Sequence, residues 1–154
     1  MHLWSLKGKS EIRAVRSPDA LDNISNLAFS PDGKTLVAIH QGKRLADRTA
    51  VIWNTTDWTA HTESGCSSAA FSRDGRLPAL GGRDIKPFES LSRKELRTIE
   101  VPVFTKGEVI PGFADRPEAS EKLPCVVFAL AFSPDGDTLA FDCFTTLHIV
   151  KLNR

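Results

Sequence analysis

Short apolar runs closed by polar turn residues recur along this chain, and one of them recurs almost verbatim. Leu27-Ala28-Phe29 leads into Ser30-Pro31-Asp32-Gly33, and a second apolar run, Thr35-Leu36-Val37-Ala38-Ile39, follows. The heptapeptide 27–33 returns unchanged at 130–136, and a third copy at 69–75 differs only at Ala69 and Arg73. A block repeated three times marks a repeat architecture. Its second half is turn chemistry: Pro31 presets φ, Asp32 tolerates the next position and Gly33 accepts a positive φ. Arg73, where the other copies have proline, shows that the proline helps without being required. In the strand half, Leu27 and Phe29 point to one face and Ala28 to the other. Both faces are apolar, so the strand is predicted to be covered on both sides.

After each turn a second strand is predicted at 35–39, 77–80 and 138–141, and a third at 51–53, 85–88 and 147–150. The start of the chain, residues 2–6, matches the third strand, and fourth strands follow at 11–15 and 95–99. Trp58 is expected to pack in a fourth strand or hairpin. Four short antiparallel strands per unit, repeated at about forty residues, define a propeller blade. The predicted class is all-β: β-propeller blades of four antiparallel strands, about three of them, in an incomplete, open ring. Residues 1–16 read as a remnant of a preceding blade, 24–62 as blade 1 and 66–100 as blade 2. Residues 101–124 read as an inserted loop, and 125–154 as blade 3 lacking its last strand. Pro78 and Pro87 fall in strands that should be interior, where proline removes a ladder donor. Blade 2 is therefore expected to be bulged or weakened.

Residues 24–53, 69–99 and 130–152 together resemble WD-repeat β-propeller blades, in the bacterial style in which an Ala-Phe-Ser-Pro-Asp-Gly block opens each unit. The departures are specific. There is no Gly-His and no Trp-Asp dipeptide; the corresponding pairs are Trp4-Ser5, Trp53-Asn54, Phe88-Glu89 and Val150-Lys151. The buried Asp-His-Ser-Trp network of many family blades therefore does not carry over, and these blades must rely on apolar packing and ladder bonds. The resemblance implies a protein-interaction scaffold. It also implies that loops joining second to third strands, and loops joining blades, emerge on one face.

Two insertions depart from the repeat period, residues 40–49 within blade 1 and residues 101–124 between blades 2 and 3. The first brings Lys43, Arg44 and Arg48. The second brings Phe104, Ile110 and Phe113 among Asp115 and Arg116. Apolar anchors within a charged rim are what a protein-binding surface needs, so these eight residues are the candidate partner-binding set.

The formal net charge is +1, which gives no field to recruit nucleic acid or an anionic membrane. No apolar run is long enough to span a bilayer, and no signal peptide precedes the repeats; a cytoplasmic location is expected. Cys66, Cys125 and Cys143 lie far apart with no Cys-x-x-Cys, which argues against zinc and for buried packing cysteines at Cys66 and Cys143. Asp135, Asp137 and Asp142 read as turn and surface carboxylates rather than a calcium site. His2, His40, His61 and His148 are scattered, and nucleophile-elbow, metalloprotease and phosphate-loop motifs are absent from the sequence. The expectation is a non-catalytic module with no cofactor and no metal, whose partners are other proteins.

Closed propellers normally need four to eight blades, and both ends of this chain read as third strands. That redundancy suggests a cut through a longer array. Two other readings are a regulatory or substrate-binding propeller segment of a larger enzyme, and a self-assembling unit that associates through its open blade faces.

Overall fold

The computed structural model describes residues 2–15, 23–75, 78–87, 98–105, 122–143 and 146–152. Strands β1 (His2–Ser5) and β2 (Ser10–Ala14) form a two-stranded antiparallel sheet. Strands β3 (Ile24–Phe29), β4 (Thr35–His40), β5 (Thr49–Asn54) and β6 (Ala60–Ser64) pair in chain order as blade 1. Blade 2 repeats the order with β7 (Cys66–Phe71), β8 (Pro78–Gly82), β9 (Asp84–Pro87) and β10 (Ile99–Glu100). A short hairpin of β11 (Val103–Thr105) and β12 (Lys122–Pro124) precedes blade 3, which contains β13 (Leu130–Phe132), β14 (Thr138–Cys143) and β15 (Thr146–Lys151). Among the described residues the fold is all-β, with sheets of up to four strands and no closed barrel. Residues 77, 88 and 95–97, expected in strands, lie outside the described residues.

The Ser-Pro-Asp-Gly block builds the turn between the first and second strands of each blade. Gly33, Gly75 and Gly136 sit at φ of 70°, 71° and 76°, which a Cβ would strain. The serine and aspartate contribute more than turn tolerance. The Ser30 hydroxyl donates to Asp32 Oδ1 (2.6 Å), its Oγ accepts from the Thr35 N–H (2.9 Å), and Asp32 Oδ1 also accepts from the Lys34 N–H (3.0 Å). Ser133, Asp135, Asp137 and Thr138 repeat this arrangement, and Ser72 donates to Asp74 in the copy that lacks proline. The Ser30 hydroxyl, then the Lys34 N–H, hold the Asp32 carboxyl below the ordinary carboxylate value.

Three apolar clusters stack the sheets. Val15 and Leu3 pack with Leu36, Ala38, Val51 and Trp53 on one face of blade 1. Arg13 lies over the Trp58 ring of blade 1, 5.4 Å from its centroid. The opposite face, with Val37, Ile39 and Ala50, packs on Cys66 and Leu80 of blade 2. Ala79, Ile85 and Val101 of blade 2 then meet Leu139, Phe141 and Cys143 of blade 3. The first strands line up, β3 beside β7 and β7 beside β13, so the blades share one inner edge.

Several expectations are corrected. Phe29, Phe71 and Phe132 do occupy equivalent positions, each on the face turned toward the preceding sheet. Phe29 lies opposite Leu36 in register and so shares the face that carries Trp53. Yet Phe29 is 53% exposed and Leu27 52%, and of β3 it is Ile24 that joins the cluster Leu3 and Val15 make with Leu36, Ala38, Val51 and Trp53. The strand is covered on one side, not two.

In blade 2 β8 is buried along its whole length, and the register irregularity falls between Cys66 and Ser68, away from both prolines. Pro78 opens β8 and Pro87 closes β9, so neither proline stands mid-ladder. The segment 101–124 is not wholly loop, since its ends pair as β11–β12, with Val103 opposite Pro124 at the hairpin edge. Finally, Cys143 is buried but does not pack as a free thiol; it is disulfide-bonded to Cys125, with Cα atoms 5.6 Å apart. Eighteen residues separate the two in sequence, a spacing that carries no signature of their adjacency.

Candidate protein-interaction surface

The 40–49 connection and the base of the 101–124 insertion lie at one end of the stack. The Gly65 N–H, between blades 1 and 2, donates to the Arg48 carbonyl (2.7 Å), and the Val127 N–H donates to the Gly82 carbonyl (3.0 Å). The Cys125 N–H donates to the Pro102 carbonyl (3.2 Å), which closes the base of the 101–124 insertion. Asp142 Oδ1 accepts from the Phe128 and Ala129 N–H groups, both at 2.8 Å, and the Cys125–Cys143 bond ties the same base to the end of β14. The hydroxyls of Ser67 and Ser68 donate to the Val127 carbonyl (2.6 and 3.0 Å). The returning chain is thus held to blade 2 and blade 3 together.

At this end Lys43 and Arg44 are exposed and Arg48 is half-buried. The Arg48 guanidinium carbon lies 4.9 Å from the centroid of the Phe128 ring, a cation–π arrangement across two blades. Of Phe104 the backbone is described, in β11 opposite Leu123. Ile110, Phe113, Asp115 and Arg116 lie outside the described residues. Phe128, which is 53% exposed, and Arg83, in the turn between β8 and β9, were not singled out by the sequence. Both sit in stretches that read as strand and turn. The hydrogen bond between residues 82 and 127 sets Arg83 and Phe128 in adjoining connections, and of the two it is Phe128 that meets Arg48.

Elsewhere the polar chemistry is structural. Burial, with the charge of Glu63, pushes the Cys66 thiol up to about 11, so it is no nucleophile at neutral pH. His148 stacks on Phe141 with centroids 5.2 Å apart. His2 and His61 pair with Glu11 and Glu63 at 2.7 and 2.8 Å. Asp142 lies at the opposite end of β14 from Asp135 and Asp137. Among the described residues no cluster of His, Cys, Asp or Glu could hold a metal ion, and no helix is long and apolar enough to cross a membrane.

Antiparallel meanders of three and four strands stacked along a shared inner edge define the blades of an open, partial β-propeller. Residues 3–54 match the family model described as "WD domain, G-beta repeat". Two solved structures, "Structure of U3-55K" and "Crystal structure of RRP9 WD40 repeats", are similar over 84% of this chain, each with a TM-score of 0.55 and 21% sequence identity. The chain covers 35% and 34% of theirs, about a third of their length. At that identity the likeness shows the fold. A search of curated proteins finds no match.

Proposed function

We infer that this chain is a non-catalytic protein–protein interaction segment of a bacterial-type WD-repeat propeller, part of a longer protein. The observation that supports the reading is that the 40–49 connection and the base of the 101–124 insertion lie at one end of the stack, the base held by the Cys125–Pro102 hydrogen bond and the Cys125–Cys143 disulfide. WD40 repeats generally mediate protein contact, which supports the reading. Lys43, Arg44, Arg48, Phe104, Ile110, Phe113, Asp115 and Arg116 form the proposed contact set.

Deleting residues 107–119 should leave the blades folded and abolish association with a partner identified by pull-down and then purified. An unchanged partner affinity would refute the reading. A collapsed circular dichroism spectrum would assign the segment a structural role instead.

The open faces belong to the same proposal. Leu147 and Ile149, each 67% exposed, lie opposite Asp142 and Ala140 on the face of blade 3 turned away from blade 2. Together with Leu27 and Phe29 they should make the isolated chain self-associate at micromolar concentration. Light scattering that finds a stable monomer would contradict this.

Location is tested by the same bond that corrected the cysteine assignment. Disulfides persist in oxidising compartments. In cells quenched with acid and then unfolded in denaturant with the alkylating agent, alkylation of Cys125 and Cys143 without prior reduction would support the cytoplasmic placement, and protection until reduction would oppose it.

A further inference from the structure

We propose that Cys125 and Cys143 work as a reversible redox latch, which fixes the base of the 101–124 insertion to blade 3 when oxidised and releases it when reduced. The proposal rests on the cytoplasmic placement above, because disulfides that form in the cytosol are usually transient and redox-sensing rather than structural.

The ties around the bond fall into two groups. Residues 127–129 are held to the blades without it. The Val127 N–H donates to the Gly82 carbonyl, and the Val127 carbonyl accepts from the Ser67 and Ser68 hydroxyls. Asp142 Oδ1 accepts from the Phe128 and Ala129 N–H groups, and the Asp142 N–H donates to the Ala129 carbonyl (3.1 Å). The base of the insertion is held differently. Its β11–β12 ladder and its Cys125–Pro102 hydrogen bond, at 3.2 Å, both join one part of the base to another. Among the described residues, apolar packing of Val101 and Cys125 and the disulfide are what tie it to blade 3. Breaking the bond therefore loosens residues 122–126 and leaves 127–129 in place.

The same division makes the latch reversible. Cys143 is the last residue of β14 and Cys125 directly follows β12, so both stand at strand ends, which open more readily than strand centres. Both are fully buried, so exchange waits on that opening. Val127, still docked two residues away, keeps Cys125 close to Cys143 for the return step. Cys66, the third cysteine of the chain, packs in a different interface, between blades 1 and 2. Glutathione disulfide is the oxidant. One cysteine thiolate attacks it, forming a mixed disulfide and expelling one glutathione thiolate. The second cysteine thiolate then attacks the protein-side sulfur, closing the Cys125–Cys143 bond and expelling the other. The two protons leave the cysteines and end on two glutathione thiols, and opening is the reverse.

The test equilibrates the purified 154-residue protein with glutathione buffers of graded reduced-to-oxidised ratio, followed by acid quench, alkylation in denaturant and mass analysis. The linked fraction should pass through one half within the cytosolic range, from either starting state. A bond that persists at the most reducing cytosolic ratio, or that does not re-form from the reduced protein, would overturn the proposal. Hydrogen exchange on the two forms locates the effect. Reduction should speed exchange at residues 122–126 on the order of tenfold and leave 127–130 unchanged. No change at 122–126, or an equal loss of protection throughout blade 3, would overturn the latch, the latter by assigning the bond a purely structural role. Cys66→Ala should keep the whole response, and loss of it would count against the pair. Cys125→Ser/Cys143→Ser should show the reduced pattern at every ratio, and the reduced wild-type protein supplies the same comparison where that variant does not fold. Because the protein is purified, failure here leaves the alkylation result on location standing, so the two readings fail separately.

Discussion

Trp53→Ala should destabilise the protein by about 3–5 kcal/mol, whereas Phe29→Ala, at the most regular position of the repeat, should cost only about 1 kcal/mol. Trp53 is 2% exposed, closed in between Leu36, Val51 and the Val15–Leu3 contact from the β1–β2 sheet. Truncating it leaves a cavity in a rigid two-sheet interface. Phe29 occupies the position that Phe71 and Phe132 fill in the later blades, but its outer face meets solvent, so little burial is lost. Urea unfolding of both variants separates the cases. Equal costs would mean that Phe29 is covered in solution and that the exposed inner half of the blade 1 face is closed.

The second large effect is expected at Cys125–Cys143. Removing the cross-link, by reductant or by Cys125→Ala/Cys143→Ala, should cost about 3 kcal/mol, the loop-closure value for a ring of this size. Both cysteines are fully buried, so reduction should be slow in the native state and fast once the base of the insertion opens. Non-reducing peptide mapping should recover residues 125 and 143 in one linked pair. An unchanged melting curve with reductant, together with separate peptides in the map, would contradict the bond.

The architecture was legible because the turn block is local chemistry. Ser30, Asp32 and Gly33 complete one another's hydrogen bonds and dihedral needs within six residues, so identity at 130–136 carried the same turn with it. Strand order followed from short connections between apolar runs. Burial was less legible. Leu27 and Phe29 are apolar and alternate correctly, but whether a neighbour covers them depends on how far the preceding β1–β2 sheet reaches across that face.

The prolines of blade 2 misled for a related reason. Composition cannot say where a strand begins, and Pro78 and Pro87 stand at strand ends where no ladder donor is needed. The disulfide and the Arg48–Phe128 contact were invisible because both join residues from separate elements through register alone. Ser67 and Ser68 could have been noticed: two hydroxyls directly before the apolar run 69–71 need acceptors once the strand extends back over them, and the Val127 carbonyl supplies one.

The central claim is an open stack in which blade 1 packs on blade 2 and blade 2 on blade 3, and methyl-labelled NMR of the protein tests it most directly. The account predicts nuclear Overhauser contacts joining the Val37 and Ile39 group to Leu80, and joining Ala79 and Ile85 to the Leu139 group, with none between the Leu36–Val51 and Leu139 groups within one molecule. Contacts that join the first and last groups directly, or the absence of both inter-blade sets in a folded protein, would contradict it.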